Sequence, residues 1–331
     1  MTKLSRKLLL SVITVVLTVI ALGTTTFAWF TLTNVANVQQ FDAEIIADSG
    51  IEIAIGDEVA GTDNLSLNWV TTLTTAAVEN YIAVEYADNF RFNHVTTADG
   101  ITFRTLGVGA QGNTVTSGYL ELPIHFRSNS AVAIAWTGVT LTASDFSWAV
   151  DQSFNAITYN AGVYEALAVD SGDILTLNAA DAFRIAVIGQ VGALTNVVGY
   201  EKPATTAAPY NHVLGVGGTG YQGTSMAVGP DTVADTADDT YSGTFGAHSY
   251  FYNDSQTSPF GIENITTLAT QTSIVSERVL DMTLQTDTFA GADYYGEITI
   301  RIWLEGWDLN AYNSILSQVI AATFQFTGLD A

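Results

Sequence analysis

The chain has 331 residues, and its 33 acidic side chains outnumber its 10 basic ones, for a net charge of −23. A surface this acidic repels phosphate backbones and argues against nucleic acid as a partner, while an apolar content of 48% argues against disorder. There is no cysteine, which excludes disulfides, thiolate metal sites and a cysteine nucleophile.

The N-terminus has the three parts of a secretory signal peptide. The basic residues come first: Lys3, Arg6 and Lys7. An apolar run over residues 8–22 follows, and small residues lead up to Ala28. This order predicts a signal helix over residues 1–28 that a signal peptidase removes before Trp29.

The mature chain, residues 29–331, is therefore predicted to be secreted and to work outside the cell or at its surface. The alternative is an uncleaved N-terminal helix that anchors the chain in the membrane. Four residues favour this alternative because they lengthen an apolar run that is otherwise short for a membrane span: Phe27, Trp29, Phe30 and Leu32.

Most of the remaining chain alternates apolar and polar residues with a period of two, which is typical of half-buried strands. The strictest alternation predicts core-facing residues in two segments: Leu120, Leu122, Ile124 and Phe126 in residues 119–127, and Ile298, Ile300, Ile302 and Leu304 in residues 297–305. Further strands are predicted over residues 41–47, 51–55, 101–105, 131–141, 146–150, 181–189, 273–284 and 319–326. Helical spacing occurs in the signal segment and in residues 309–318.

Residues 200–261 interrupt this pattern, since they are rich in Gly, Thr, Asp and Tyr and hold four of the five prolines. Such a stretch indicates a long loop-rich insertion between core strands. Many short strands without alternating helices predict an all-β fold, an antiparallel β-sandwich or jelly roll. The predicted organisation is therefore one β-sandwich domain over residues 29–331 that carries this insertion.

An acidic, turn-rich run over residues 229–239 is a candidate calcium site. Its carboxylates are Asp231, Asp235, Asp238 and Asp239. Calcium takes six to eight oxygen ligands, and closely spaced carboxylates can supply them. The alternative is a solvated acidic loop, because the run lacks the glycine and the distal glutamate of an EF-hand. No other cofactor is predicted.

The sequence contains only partial matches to known catalytic motifs. Residues 48–51 and 223–227 resemble the aspartate and nucleophile motifs of subtilisin-type serine proteases. In that family a helix carries the serine, but the glycine and proline a few residues after Ser225 would end a helix. None of the four histidines lies in the sequence motif that surrounds the family's catalytic histidine: His94, His125, His212 and His248. A glycosidase acid pair cannot be selected among the strand carboxylates Glu121, Glu297 and Glu305. The chain is therefore predicted not to be an enzyme.

The signal boundary resembles a known family. The run GTTTFAWFT at residues 23–31 is followed by Asn37 and by Phe-Asp-Ala at residues 41–43. This pattern resembles the secreted TasA/camelysin group, which comprises biofilm-matrix fibre proteins with a jelly-roll domain and a dedicated signal peptidase. Three further segments are similar to secreted proteins of Gram-positive and wall-less bacteria with this type of N-terminus: residues 119–128, 181–188 and 302–308. The resemblance implies an extracellular, self-associating β-protein without an active site.

The favoured function is thus structural: a secreted, self-associating subunit of an extracellular fibre, matrix or surface layer. The alternative is an adhesin or glycan-binding module that recognises cell wall or a host surface through residues 200–261. A secreted hydrolase is the third hypothesis.

The first residues of the mature chain form a candidate assembly strand, residues 29–38. This segment is apolar and β-prone, without charge, proline or glycine, and its apolar residues are Trp29, Phe30, Leu32, Val35 and Val38. Such a strand must pair with something in water. One hypothesis is an edge strand of its own sheet. The other is insertion into a neighbouring subunit, which does not close and so generates filaments.

We expect the secreted form to begin at Trp29, because the order of basic, apolar and small-residue segments directs cleavage after Ala28. N-terminal sequencing of the extracellular protein checks this prediction. Finding Met1 or Thr2 on that protein would favour the membrane-anchored alternative.

Overall fold

The computed structural model describes residues 41–48, 50–57, 67–86, 90–105, 113–160, 163–203, 225–227, 240–242, 246–247, 249–250, 267–285 and 293–331. All of them belong to one compact unit, Val38–Ala331. The predicted signal peptide (residues 1–28), the candidate assembly strand and most of the predicted insertion lie outside the described residues. None of the helices in these ranges has the length and apolar character that crossing a membrane requires.

The described chain is built mainly from strands: β1 (Phe41–Ala47), β2 (Ile51–Ile55), β3 (Thr72–Leu73), β4 (His94–Thr97), β5 (Phe103–Thr105), β6 (Thr114–Val115), β7 (Tyr119–Ser128), β8 (Ala131–Ala143), β9 (Asp145–Ala149), β10 (Phe154–Asn160), β11 (Val163–Val169), β12 (Ile174–Asn178), β13 (Phe183–Val191), β14 (Leu194–Glu201), β15 (Ser225–Ala227), β16 (Thr240–Ser242), β17 (Thr270–Gln271), β18 (Glu277–Asp281), β19 (Thr283–Leu284), β20 (Tyr294–Glu305) and β21 (Ile320–Asp330). The α-helix α1 (Thr75–Glu85) and two 3₁₀ helices (Ala179–Asp181 and Asn313–Ser317) accompany them, and residues 246–247 and 249–250 are also helical.

Two sheets hold most of these strands. The smaller sheet has five strands in the order β18-β8-β21-β1-β3. The larger sheet has ten strands, with β17, β14, β13 and β20 in succession. On the other side of β20 lie β7, which pairs with β2, and β4, which leads to β5 and β6.

The all-β class predicted from the sequence is confirmed, whereas the purely antiparallel arrangement is wrong because the sheets are mixed. Parallel ladders join β1 to β21, β14 to β17 and β20 to β4. The first of them runs from Phe41↔Ile320 to Ala47↔Phe326. This ladder joins the first and last described strands, which are far apart in the chain and run side by side in the same direction.

Apolar side chains of the two sheets meet in the core. The ring of Phe126 on β7 lies 5.2 Å from that of Phe326 on β21, and Trp136 on β8 lies 6.4 Å from Tyr200 on β14. The residues predicted to face the core from β7 and β20 are all at most 1% exposed: Leu120, Leu122, Ile124, Phe126, Ile298, Ile300, Ile302 and Leu304. The period-two alternation therefore identified the core face correctly.

The opposite face of the larger sheet is not uniformly solvated, contrary to the simple alternation. His125, Arg184 and Trp303 belong to that face, yet each is at most 2% exposed. Strand periodicity identifies the face that packs into the core. It cannot show that other segments of the chain cover part of the opposite face.

The helix α1 was not predicted from the sequence. Its sequence, TAAVENYIAVE, mixes the helix formers Ala and Glu with β-prone Val, Tyr and Ile. Val78 is its buried residue, and Val84 is 74% exposed. The apolar positions therefore do not form a clear stripe, which explains why periodicity missed the helix. The predicted helix over residues 309–318 is a shorter 3₁₀ segment, Asn313–Ser317.

Residues 145–178 form a two-stranded excursion that we call the β-ribbon. β9 pairs with β12, and β10 pairs with β11, so the two outgoing strands lie along the two returning ones. Between the ladders, the N–H of Val150 donates to the carbonyl of Asp173 (2.9 Å), and the N–H of Gly172 donates to the carbonyl of Val150 (2.7 Å). These bonds carry the pairing from one ladder to the next.

We expect Ile302→Asp to unfold the domain, because Ile302 is fully buried and an unpaired carboxylate there costs several kcal/mol. Urea denaturation followed by circular dichroism checks this expectation. Thr299→Asp is the control, since Thr299 points to the other face of the same strand and is half-buried. If both variants unfold at the urea concentration of the wild type, the assigned register of β20 is wrong.

Candidate binding cleft

A cleft opens in the larger sheet where β13 and β20 separate. The ladder between them ends at Ile188↔Thr299, and β19 pairs with β20 beyond it, through Thr283↔Tyr295. The resulting cleft has a volume of about 590 Å³. This volume lies within the range of small-molecule sites, about 300–1,000 Å³.

Two glycines let β18 approach closely enough to form the base of the cleft. A Cβ on Gly189 would collide with the carbonyl oxygen of Val279, and one on Gly296 would lie 2.8 Å from the side chain of Leu280. Any larger residue at these positions would push β18 away from the separated strands. The cleft therefore depends on the absence of side chains at two places in otherwise regular strands.

The lining of the cleft is mostly polar and uncharged. Its polar side chains are Gln190, Thr195, Asp281, Thr283, Gln285, Tyr295, Glu297 and Thr299. Ile188 and Leu280 supply its apolar surface. Hydroxyl and carboxamide groups both donate and accept hydrogen bonds, so this surface can match a ligand that does the same.

Asp281 ties the wall of the cleft to the neighbouring hairpin. One carboxylate oxygen accepts from the backbone N–H of Gly192 at 2.8 Å, and the other accepts from Nε of Arg278 at 2.6 Å. Nδ2 of Asn196 also donates to the carbonyl of Arg278 at 3.0 Å. These bonds fix β18 against the turn between β13 and β14, and they satisfy the charge of Asp281.

Tyr295 is held in one orientation by residues beneath and beside it. Its ring stacks on that of His125 at 5.9 Å and meets Trp69 edge-on at 6.1 Å. Nε2 of His125 donates to the carbonyl of Gly56 at 2.6 Å. In the neutral ring Nδ1 is then an acceptor, and it lies 2.5 Å from the Tyr295 hydroxyl oxygen, which donates to it.

A second cluster of polar residues, the buried ionic network, lies on the same sheet but away from solvent. Nε of Arg184 contacts a carboxylate oxygen of Glu201 at 2.9 Å, and Nη2 contacts Asp308 at 2.6 Å. Nη1 donates to the backbone carbonyls of Asp181 and Phe183. The side chains of Arg184, Glu201 and Asp308 are at most 4% exposed, so this network holds the fold together rather than binding a ligand.

Glu305 completes the network. It accepts hydrogen bonds from the indole N–H of Trp303 at 3.0 Å and from the backbone N–H of Trp307 at 3.3 Å. Burial nevertheless raises the pKa of Glu305 to about 7. Burial also raises the pKa of Asp308, against the opposing effect of Arg184. For Arg184, burial works to lower the pKa, but Glu201, Asp308 and Glu305 outweigh it and raise the value.

The residues predicted to bind calcium lie outside the described residues, as does the candidate assembly strand. Those residues are Asp231, Asp235, Asp238, Asp239, Trp29, Phe30, Leu32, Val35 and Val38. Within the described ranges, no group of three or more His, Asp and Glu side chains is arranged to hold a metal ion.

The described residues of the protease-like fragments lie in strands or at strand ends. Ser225 lies on β15 and pairs with Ser242 on β16, and Asp48 follows the last residue of β1. His94 on β4 donates from Nε2 to the carbonyl of Ala311 at 2.8 Å, and burial lowers its pKa. His125 lies beneath Tyr295. His212 and His248 lie outside the described residues.

The three strand carboxylates have three different environments. Glu121 pairs with Arg301 at 2.6 Å, Glu297 lines the cleft and is half exposed, and Glu305 is buried. Among the tryptophans, Trp136, Trp303 and Trp307 are at most 6% exposed. The sequence analysis therefore singled out one residue of the cleft, Glu297, but did not predict that it lines a cleft.

The other cleft residues and the ionic network were missed. A sequence signal did exist for the network, since Arg184 follows Phe183 inside an apolar strand, and Glu305 and Asp308 lie among tryptophans. Charges in such surroundings indicate buried pairing. The cleft offers no comparable signal, because its residues come from five strands and their connections.

No protein-family model, curated protein or solved structure matches the chain. What the cleft can do follows from its own side chains. It presents donors and acceptors on a fixed surface, with one carboxylate, that of Asp281, already neutralised by Arg278. Such a surface is suited to reversible binding of a polar ligand.

We expect the stability of the protein to fall as the pH rises from about 4.5 to about 7, through Glu305. In this window the folded chain binds more protons than the unfolded one, because the folded pKa is the higher. The slope from this group approaches about 1.4 kcal/mol per pH unit at most. Urea denaturation at a series of pH values measures it.

Glu305→Gln should lose this dependence, since the amide does not titrate. The difference in unfolding free energy between the variant and the wild type should then shift in favour of the variant between pH 5 and pH 8. Parallel curves for the two proteins would contradict the assignment of this titration to Glu305.

Proposed function

We propose that the chain is a secreted structural protein, a self-associating subunit of an extracellular fibre, matrix or surface layer. In this proposal the two sheets form a β-sandwich of the jelly-roll type. The signal-peptide order of residues 1–28 supports secretion, and the resemblance to the TasA/camelysin group supports self-association. The single observation that carries the proposal is an outer edge of the β-ribbon that none of the other described strands covers.

The β-ribbon has only two strands across, so each strand has an outer edge. On the outgoing side, β10 is partly covered, because the N–H of Asn155 donates to the hydroxyl of Ser249 at 2.9 Å. On the returning side, β11 and β12 pair with β10 and β9 alone among the described strands. A row of unpaired backbone groups of this kind is a template for another strand.

Exposed apolar side chains lie on that same returning side. Leu167 on β11 is 44% exposed, and Ile174 on β12 is 61% exposed. The sequence of β12, Ile-Leu-Thr-Leu-Asn, has no charge, proline or glycine. Low charge and high β-propensity on an open edge favour intermolecular pairing.

The base of the β-ribbon is anchored on the body of the protein, so its outer part is presented in a fixed direction. Phe154 is 4% exposed and packs against Tyr250 and Tyr312, at 5.4 Å and 5.7 Å between ring centroids. Nε2 of Gln152 donates to the carbonyl of Tyr250 at 2.8 Å. A rigid arm loses less conformational entropy when it pairs with another subunit than a loose one does.

In this proposal the candidate assembly strand binds to the outer edge of β11 and β12. Residues 29–38 of one subunit could add to β11 and β12 of the next, with backbone hydrogen bonds supplying affinity and alternate side chains supplying register. Head-to-tail addition of this type does not close and so produces filaments. Both partner surfaces belong to every copy of the chain, as a homopolymer requires.

We expect the double variant Leu167→Lys/Ile174→Lys to assemble poorly. Two lysines would remove the apolar contacts that Leu167 and Ile174 offer to the incoming strand and would place charge beside its apolar residues, raising the concentration needed for assembly by about tenfold or more. Sedimentation and negative-stain microscopy of the purified mature chain over a concentration series measure this threshold.

Val84→Lys is the matched control, because Val84 is 74% exposed but lies on α1, outside the β-ribbon. The control should assemble as the wild type does. The proposal fails if the wild-type mature chain stays monomeric at high concentration. It also fails if the double variant assembles at the wild-type concentration.

A further inference from the structure

We infer that the cleft between β13 and β20 is a binding site for a neutral saccharide. This inference is separate from the proposed assembly function, because it concerns residues outside the β-ribbon. It rests on the composition, charge and rigidity of the cleft.

The cleft offers a surface that matches polyhydroxy ligands. Carboxamides of Gln190 and Gln285 and hydroxyls of Thr195, Thr283 and Thr299 line it. Each carboxamide can accept and donate at once, and so can each hydroxyl, as sugar hydroxyls do. Gln190 and Thr195 make no side-chain hydrogen bond to other residues in the described ranges, so both can serve a ligand.

The charge of the cleft favours a neutral ligand. Lysine and arginine are absent from its lining among the described residues, which disfavours an anion. Asp281 is engaged by Arg278 and by the N–H of Gly192, and Glu297, the other carboxylate of the lining, has an oxygen 3.9 Å from Nδ1 of His125. One half-exposed carboxylate can accept hydrogen bonds from sugar hydroxyls, and it is too little charge to select a cation by itself.

The cleft is also prepared for binding before a ligand arrives. Tyr295 is locked by His125 and Trp69, and the Asp281 bonds fix the opposite wall. A site that is already ordered avoids the entropy cost of ordering side chains on binding. Ile188 and the ring of Tyr295, both in the lining, offer apolar contact to the C–H faces of sugar rings.

Affinity electrophoresis of the mature chain tests the inference. Native gels would contain one neutral polysaccharide each: hydroxyethylcellulose, laminarin, dextran or galactomannan. Gels with chitosan and with dextran sulfate provide a cationic and an anionic probe. We expect at least one neutral probe to retard the wild type, and dextran sulfate not to retard it.

The variant Gln190→Ala/Gln285→Ala should bind the retarding probe about tenfold more weakly or not at all. Neither change removes a core side chain, and an unchanged melting temperature would show that the fold is intact. Gln325→Ala is the matched control, because Gln325 is an exposed glutamine on β21 of the smaller sheet, and it should bind as the wild type does.

Three results would overturn the inference. The first is that no neutral polysaccharide retards the wild type. The second is that the double glutamine variant, correctly folded, binds as well as the wild type does. The third is that chitosan alone retards the protein and Glu297→Gln abolishes the effect, which would make the cleft a cation site.

Discussion

The ladder of β20 with β7 runs without interruption from Tyr294↔Ser128 to Trp303↔Tyr119, while its ladder with β13 covers only the second half of the strand. This difference between the two edges of β20 shapes the larger sheet. Where β13 is present, further segments cover the outer face, and Trp303 and Glu305 are buried there. Where β13 has separated, Glu297 is half exposed and the cleft forms. The core side of β20 is the same in both halves, because Ile298, Ile300, Ile302 and Leu304 all pack inward.

The burial of Arg184 follows from that constraint. The second half of β20 is covered on both faces, so the neighbouring Arg184 on β13 is buried. A buried guanidinium is tolerated only when carboxylates pair with it. Glu201 and Asp308 supply them from β14 and from the turn after β20. Removing Arg184 would leave two buried carboxylates without a cation, so the three residues act as one unit. Glu305 lies at the edge of this unit, and burial accounts for its raised pKa.

Much of the fold could be predicted from the sequence, and the reasons for the rest are physical. Alternation identified β7 and β20 with their core faces, because the side-chain period of a strand is fixed by its backbone. It could not give the parallel pairing of β1 with β21, since register between distant strands leaves no local pattern. The helix α1 was missed because its apolar residues form no stripe. The cleft was not predictable, because it depends on where two strands stop pairing and on Gly189 and Gly296 admitting β18.

The edge strands of the described sheets differ in whether they carry features that discourage pairing with another strand. At the outer edge of the smaller sheet, β18 has a bulge between Arg278 and Leu280 and an ion pair between Arg278 and Asp281, and both features discourage strand addition. At the edge of the larger sheet, β2 carries Glu52, which pairs with Arg127 at 2.6 Å. β12 has neither a bulge nor a charge, and Ile174 faces solvent. The contrast of β18 and β2 with the apolar edge of β12 is expected if β12 is used for pairing, which is why the proposed assembly is assigned to the β-ribbon.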